Sequence, residues 1–321
     1  MRVLVAVPGN LRTVPMSRFV PAALSALGHE VRAVDYSLTW LEKLKSRAEP
    51  ARAVEKRMLR AIEDARPELF LTLYGVNIGG GVLAHLRQHS IATANWWLND
   101  PFQFERAAKI LPEYDFAFSN ARGSVEMYAS RGIRNVHFLP TACEPSVHRP
   151  LPARAPVCDV SFAGDWSAMR EEMVGKLVAA GVDLRIYGPW RRKLAKDSAL
   201  RARLEHGFFT PQRMAEIFAT CKATLNIHTW RGKFDHGLNP RVFEAAACGT
   251  PQLVDWKREL DELFDESERA AMLVYRSDEE LLAKAKTIPE LREKAVAASA
   301  SIRERHSYLA RMRELLKVCG K

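Results

Sequence analysis

Short apolar runs alternate with stretches of helical periodicity along the first half of the chain. Apolar runs of this kind, bounded by glycine or proline, predict buried β-strands, and the periodic stretches predict helices. The predicted strands are Arg2 to Val7, Val31 to Val34, Leu69 to Leu73, Ile91 to Trp96, Phe116 to Ser119 and Val136 to Leu139. The predicted helices are Phe19 to Leu27 and Ala51 to Ala65. This order predicts an α/β domain built on a doubly wound parallel sheet.

The same alternation begins again after a proline-rich segment. Ala142 to Pro156 contains four prolines and no apolar period, which is typical of an interdomain linker. Strands are then predicted from Cys158, at Leu184 to Tyr187 and at Ala223 to His228, and the chain beyond Asp255 is predicted to be helical. A chain of 321 residues exceeds the size at which one core keeps growing. We therefore predict two domains, residues 1–150 and 151–321.

Composition limits the classes of protein that fit. Hydrophobic residues make up 47% of the chain, and no apolar run approaches the roughly 18 residues of a membrane span, so a cytoplasmic protein is expected. Five widely spaced cysteines form neither a zinc pattern nor a disulfide framework. The net charge of +10 favours anionic partners: nucleotide diphosphates, acidic glycans or a membrane surface. No nucleic-acid partner is expected, because no nucleic-acid-binding module is recognisable.

The segment from Gly237 to Pro251 carries the strongest chemical signal. Asn239 suits the N-cap of a helix, Pro240 suits its first position, and Gly249 suits a left-handed stop. The start of such a helix offers unpaired N–H groups and the positive end of its dipole, which favour a diphosphate. Glu244, one turn deeper, can accept hydrogen bonds from ribose hydroxyls. The segment predicts a nucleotide-sugar site, with a capped helix that binds nothing as the alternative.

This segment is similar to the nucleotide-binding motif of GT-B glycosyltransferases, whose donor-site glutamate lies in an F-E-A-x-A-x-G-x-P context that Glu244 matches. Many retaining members carry a second acid eight positions earlier, where this chain has His236. The chain more closely resembles the bacterial glycosyltransferases similar to spore maturation protein B, in which Asn-x-Arg precedes Phe-Glu-Ala as Asn239 and Arg241 do here. The resemblance implies two Rossmann-like domains facing across a cleft, with the acceptor bound by the first and the donor by the second. It also implies that the charged tail from Glu290 to Lys317 crosses back to the first domain with its last helix, and an oligomer contact is the alternative for this tail.

A second motif places two tryptophans and a carboxylate at the end of a predicted strand. Asn95-Trp96-Trp97-Leu98-Asn99-Asp100-Pro101 resembles the W-x-x-D-D-P phrase of the same group, with Asn99 in place of the first acid. Asp100 is the predicted catalytic residue, a general base that takes the proton of the acceptor hydroxyl. The alternative is that Asp100 and Pro101 cap the following helix.

Several residues besides Glu244 and Asn239 are predicted to contact the donor. Arg241 and Lys233 are the first candidates for the phosphates, with Arg170 third, because cations near the helix start would offset phosphate charge. His228, at a strand end, is predicted to contact sugar or phosphate, or else to be a satisfied core histidine. The remaining predicted donor-binding residues end two strands: Gly164 and Tyr187.

These observations predict a glycosyltransferase that moves a sugar from a nucleoside-diphosphate sugar to a glycan, protein or small-molecule acceptor. The resemblance implies chemistry without a metal or other cofactor, and the chain has no D-x-D triplet of the metal-dependent transferases. The alternatives are a sugar-nucleotide epimerase of the same fold and a non-catalytic nucleotide or nucleic-acid binder. A dehydrogenase ranks last, since neither predicted sheet opens with G-x-G-x-x-G.

Overall fold

A computed structural model describes residues 1–9, 15–38, 50–152, 155–206 and 210–321. The sequence also predicts a ligand-binding turn at Gly9 and Asn10, after the first strand, and Asn10 lies outside the described residues. The chain divides into two compact units, Met1–Thr141 with Tyr308–Lys321, and Ala142–Ser307. The division falls between Thr141 and Ala142, whereas the sequence placed it after residue 150. The proline-rich segment belongs to the second unit.

The first unit is a six-stranded parallel sheet flanked by helices. Its strands are β1 (Arg2–Val7), β2 (Glu30–Asp35), β3 (Leu69–Leu73), β4 (Ala92–Trp97), β5 (Phe116–Ser119) and β6 (Val136–Phe138), in the spatial order β2-β1-β3-β4-β5-β6. Its helices are α1 (Met16–Ala26), α2 (Pro50–Ala65), α3 (Gly80–Gln88), α4 (Phe104–Ala107), α5 (Arg122–Ser130) and α13 (Tyr308–Val318). The central strand β3 is buried along its whole length, which explains its continuous apolar sequence.

The second unit repeats this architecture. Its strands are β7 (Cys158–Ala163), β8 (Leu184–Tyr187), β9 (Leu204–Glu205), β10 (Cys221–Asn226), β11 (Gln252–Asp255) and β12 (Met272–Tyr275), in the order β12-β11-β10-β7-β8-β9. Its helices are α6 (Ala168–Ala179), α7 (Pro211–Ala219), α8 (Pro240–Ala247), α9 (Arg258–Leu263), α10 (Glu266–Arg269), α11 (Asp278–Lys286) and α12 (Arg292–Arg305). All neighbouring strands of both sheets pair in parallel. The predicted α/β class with two doubly wound sheets is confirmed.

The prediction for the C-terminal part was wrong in one respect and incomplete in another. The chain beyond Asp255 is not wholly helical, because Met272–Tyr275 forms the edge strand β12 beside β11. The charged tail is interrupted at His306 and Ser307, where the main chain pairs with Cys143 instead of continuing the helix. The His306 carbonyl accepts a hydrogen bond from the Cys143 amide at 2.9 Å. Helix α13 then packs against α1 in the first unit.

The remaining composition-based expectations concern membranes and thiols. Among the helices of the described ranges, none combines the length and apolar character that a bilayer crossing requires. All five cysteines are buried, and each is a thiol rather than half of a disulfide. Burial raises the pKa of the thiol groups of Cys158 and Cys319 to about 12, which makes them poor nucleophiles.

Candidate active site in the second unit

The strand order of the second sheet places a topological switch point at the carboxyl ends of β7 and β10. The chain proceeds outward from β7 to β8 and β9, then returns to the other side of β7 with β10, so the direction of winding reverses between these two strands. Doubly wound sheets bind ligands at such a switch point. Of the predicted donor-binding residues, Gly164 follows β7, His228 follows β10 and Asn239 precedes α8.

Arg170 links the loops that follow β7 and β10. Its guanidinium donates to the Asp165 carbonyl at 3.0 Å on the β7 side, and to the Ile227 carbonyl at 2.8 Å on the β10 side. A further bond of 3.2 Å reaches Thr229 Oγ1. Desolvation lowers the pKa of Arg170. These bonds occupy both terminal nitrogens, so the geometry supports a clamp between two loops more than the predicted phosphate contact.

Helix α8 begins and ends where the sequence predicts. Asn239 is the N-cap residue with extended backbone angles, Pro240 is in the first turn, and Gly249 has a φ of +65° just beyond the end. The Asn239 side chain, however, makes no capping hydrogen bond. It pairs instead with the side chain of Asn226 through two amide hydrogen bonds of 2.8 and 3.2 Å. This pair ties the start of α8 to the end of β10.

Arg241 and Glu244 lie on the first two turns of α8 and contact each other. Arg241 Nη1 is 3.1 Å from Glu244 Oε2, and the two side chains are 23% and 14% exposed. Buried His148 is a neighbour of both: desolvation lowers its pKa, and the Glu244 charge opposes that change. His148 comes from the segment assigned to a linker, where no sequence signal marked it. The structure thus brings together Asn239, Arg241 and Glu244.

His228 belongs to a buried network that the sequence only partly indicated. Its Nδ1 and its backbone N–H both contact Asp255 Oδ1, at 2.7 and 2.9 Å. Lys257 Nζ lies 2.7 Å from the other carboxylate oxygen. Burial raises the pKa of Asp255, but His228 and Lys257 outweigh it and hold that pKa well below its ordinary value. Among the described residues, His228 Nε2 is a buried atom without a hydrogen-bond partner.

Asp255 and Lys257 were missed as site residues. The contact between Asp255 and His228 joins two residues that are 27 positions apart in the chain, so no local pattern marks it. The side chains of Asp255 and Lys257 are both only 3% exposed, and His228 together with Lys257 keeps the buried carboxylate ionised.

Gly164 and Tyr187 are hydrogen-bonded to each other at the ends of β7 and β8. The Gly164 amide donates to the Tyr187 carbonyl at 3.0 Å, and the Gly164 carbonyl accepts from Trp190 Nε1 at 2.9 Å. The Tyr187 side chain packs in an apolar cluster with Met214 and Phe218, and desolvation raises its pKa to about 12. Both residues hold β7 and β8 together. Lys233, by contrast, is exposed in the loop before α8.

Asp100, in the first unit, is not an accessible base in this structure. Its side chain is fully buried, and its carboxylate accepts hydrogen bonds from Ser119 Oγ at 2.6 Å and from Tyr128 Oη at 2.9 and 3.0 Å. The Asp100 side chain does not cap α4 either, since no side-chain cap is present on that helix. Desolvation raises the pKa of Asp100 to about 6. The capping interpretation is therefore corrected: the carboxylate fixes the loop after β4. The role of Asp100 as a general base stays a prediction.

Comparison with known proteins identifies the class of this fold. Residues 170–317 match a protein family described as glycosyl transferase-like. The chain is similar to sucrose-phosphate synthase from Thermosynechococcus elongatus, with a TM-score of 0.68, 14% identity, and coverage of 99% of this chain and 98% of that one. It is also similar to HepE from Anabaena in complex with UDP-glucose, with a TM-score of 0.67, 11% identity and full coverage of both chains.

A putative UDP-N-acetylglucosamine 2-epimerase from Listeria monocytogenes shares the architecture less closely, with a TM-score of 0.55, 13% identity, and coverage of 98% of this chain and 94% of that one. No curated protein has significant sequence similarity to the chain. The fold alone does not separate transferases from epimerases, but the family match favours a transferase. The match over residues 170–317 and the shared architecture confirm the predicted class, a glycosyltransferase with the GT-B fold.

Proposed function

We propose that this protein binds a nucleoside-diphosphate sugar at the start of α8 and transfers the sugar to an acceptor without a bound metal. The observation that carries the proposal is the grouping of Asn239, Arg241 and Glu244 at a fixed helix start beside the switch point of the second sheet. The bound UDP-glucose of HepE makes UDP-sugars the first donors to test. The Asn-x-Arg-Val-Phe-Glu-Ala order supports placement among the enzymes resembling spore maturation protein B.

Each side chain has a chemical role in this proposal. The guanidinium of Arg241 and the positive end of the α8 dipole stabilise the charge that grows on the departing diphosphate. Glu244 accepts hydrogen bonds from the ribose hydroxyls. Lys233, exposed in the preceding loop, adds a second cation to the phosphates. Arg170 positions the two loops rather than touching the donor, because its terminal nitrogens already bind carbonyl groups.

His228 contributes its unpartnered ring nitrogen in this proposal. Nδ1 and the backbone N–H both contact Asp255 Oδ1, at 2.7 and 2.9 Å, so the ring is held in one orientation. Among the described residues, Nε2 is buried and has no hydrogen-bond partner. A hydroxyl group of the donor sugar can donate or accept a hydrogen bond, so it can pair with this nitrogen. His228 is thus assigned to the sugar.

A panel of UDP-, GDP-, dTDP- and CDP-sugars in a thermal unfolding assay tests the proposal, because a ligand that binds only the folded protein raises its melting temperature. We expect one nucleotide class to stabilise the protein and Glu244→Ala to abolish that shift. Glu216→Ala is the matched control, since Glu216 pairs with Arg213 in the same i, i+3 arrangement on α7. A flat response across the panel, or equal shifts in both variants, would contradict the proposal.

Turnover separates the transferase from the alternatives. Slow release of nucleoside diphosphate from the stabilising sugar nucleotide, faster when acceptor is present, is expected of a transferase. Conversion of the sugar nucleotide to an epimer with the phosphate bond intact would identify an epimerase. Binding without either product would identify a non-catalytic binder.

A further inference from the structure

The segment after β4 presents an unusual surface at the carboxyl edge of the first sheet. Main-chain hydrogen bonds of helical type run from Gln103 N to Asn99 O and from Ala107 N to Gln103 O, so the segment coils through α4. Its inner face buries Phe104 and Ala107. Phe102 on the outer face is 54% exposed. The other exposed large apolar side chains of the described chain are two valines of the second unit.

The start of this segment is fixed by hydrogen bonds to residues of β5, of α5 and of the loop between them. The side chain of Asn120 accepts from the Asp100 backbone N–H and donates to the Asp100 carbonyl, both at 3.0 Å. The Asp100 carboxylate accepts from Ser119 and Tyr128. A carboxylate at that depth destabilises the fold, as its raised pKa indicates. Such a cost is typical of functional positions, where a precise geometry outweighs stability.

The exposed face of the segment combines an aromatic ring with cations. Phe102 precedes α4, Arg106 lies within it and Lys109 follows it, and the side chains of all three are exposed. Among the described residues, Arg106 forms no ion pair. The neighbouring charge of Glu105 is paired with Arg131 at 2.6 Å and is thereby neutralised. The face is therefore apolar at one end and basic at the other.

The first unit as a whole also carries an excess of positive charge. The first unit has 22 Lys and Arg against 14 Asp and Glu, a net charge of +8 of the total +10. The second unit has 26 against 24, a net charge of +2. The unit that would bind a diphosphate donor is thus nearly neutral, while the excess positive charge lies on the other unit. An excess of this size favours an anionic partner for the first unit.

We infer that Phe102 and Arg106 form an acceptor platform for a sugar that carries a carboxylate. The apolar face of a pyranose ring would pack on the Phe102 ring, and its carboxylate would pair with Arg106. An aromatic ring on a rigid segment loses little conformational entropy when it binds. This inference rests on the proposed transferase function, but the platform is tested by binding alone, without donor or turnover.

Calorimetric titration with oligogalacturonate, using maltoheptaose as the neutral probe, tests the platform. We expect the wild type to bind oligogalacturonate and to bind maltoheptaose at least about tenfold more weakly. Phe102→Ala should weaken binding of oligogalacturonate at least about tenfold, whereas Phe102→Tyr, which keeps an aromatic ring, should bind it as the wild type does. Arg106→Gln should remove the preference for oligogalacturonate over maltoheptaose. The controls are Val157→Ala, an apolar side chain 55% exposed on the second unit, and Arg87→Gln, in the last turn of α3.

The outcomes separate this inference from the proposed function. Loss of oligogalacturonate binding in Phe102→Ala, with the thermal shift by sugar nucleotides unchanged, supports the platform. No binding of oligogalacturonate by the wild type, or equal binding by Phe102→Ala, overturns it and leaves donor binding untouched. Binding to vesicles of anionic phospholipid that neither platform variant weakens, without oligosaccharide binding, also overturns it and assigns the positive charge to a membrane surface. Absence of any sugar-nucleotide shift would instead contradict the donor site.

Discussion

Arg241 Nη1 lies 3.1 Å from Glu244 Oε2 on α8, so the residue proposed for the phosphates and the residue proposed for the ribose are partners of each other. A donor nucleotide must compete with this ion pair for both side chains. The pair is partly buried, and its i, i+3 spacing holds the carboxylate oriented along the helix. In the proposed site, the ion pair that orients both side chains therefore also makes the free energy of donor binding less favourable, because it must be broken or shared.

Removing the guanidinium of Arg241 tests whether its contact with the phosphates outweighs its competing ion pair with Glu244. We expect Arg241→Met to weaken sugar-nucleotide binding by about tenfold to a hundredfold, because a charge-assisted hydrogen bond to phosphate contributes about 1.5–3 kcal/mol. Titration of the stabilising sugar nucleotide measures this change. Arg213→Met, which breaks the equivalent pair on α7, should leave the affinity unchanged. Tighter binding by Arg241→Met would show that the ion pair inhibits and that Arg241 does not contact the phosphates.

The buried Asp255 and Lys257 pair should dominate the stability of the second unit. Lys257→Met leaves a carboxylate in the interior without its cation, and we expect a loss of about 3–5 kcal/mol in the free energy of unfolding. Lys222→Met removes the exposed partner of Asp159 and should change little. Urea unfolding compares the two. Equal losses of stability in Lys257→Met and Lys222→Met would contradict the role assigned to burial. The double variant Asp255→Asn with Lys257→Met should recover much of the free energy of unfolding that Lys257→Met loses, because it leaves no buried charge unpaired.

Asp100 should make the stability of the first unit depend on pH. Its pKa is about 6 in the folded protein and 3.8 ordinarily, so the folded state holds the proton more tightly than the unfolded state. The stability that this proton provides is present below pH 4 and is lost as the pH rises to about 6. The loss is about 3 kcal/mol at most. Measured against Asp100→Asn, the wild type should lose stability between pH 4 and pH 7; a difference that stays constant would contradict the raised pKa.

A metal chelator should leave the proposed reaction unaffected. Arg241, Lys233 and the amides at the start of α8 would neutralise the leaving diphosphate, so no divalent ion is required. We expect equal rates of nucleoside diphosphate release in the presence of EDTA and of Mg²⁺ or Mn²⁺. A rate that falls with EDTA and recovers with the metal would contradict the metal-independent proposal.

Local sequence accounts well for the elements whose residues are buried or capped by their neighbours. β1, β5 and β8 match their predicted limits, since their apolar runs end at turn residues. The edge strand β12 escaped notice because its four residues follow a charged helical stretch and pair only with β11. The break at Ser307 also escaped, because its cause is Cys143, more than 160 residues earlier in the chain. Contacts between residues that are distant in the sequence produce no periodic pattern of apolar residues.

The sequence by itself determined the class of the fold, the limits of α8 and the nearness of Asn239, Arg241 and Glu244, because these depend on residue chemistry within one helix. Only the tertiary structure decided which partners each candidate side chain contacts. It buried Asp100 beneath Tyr128, committed Arg170 to carbonyl groups of two loops, and joined His228 to Asp255 and Lys257. Hydrogen-bond donors and acceptors find partners wherever the chain brings them together, and that choice belongs to packing between elements rather than to any one segment.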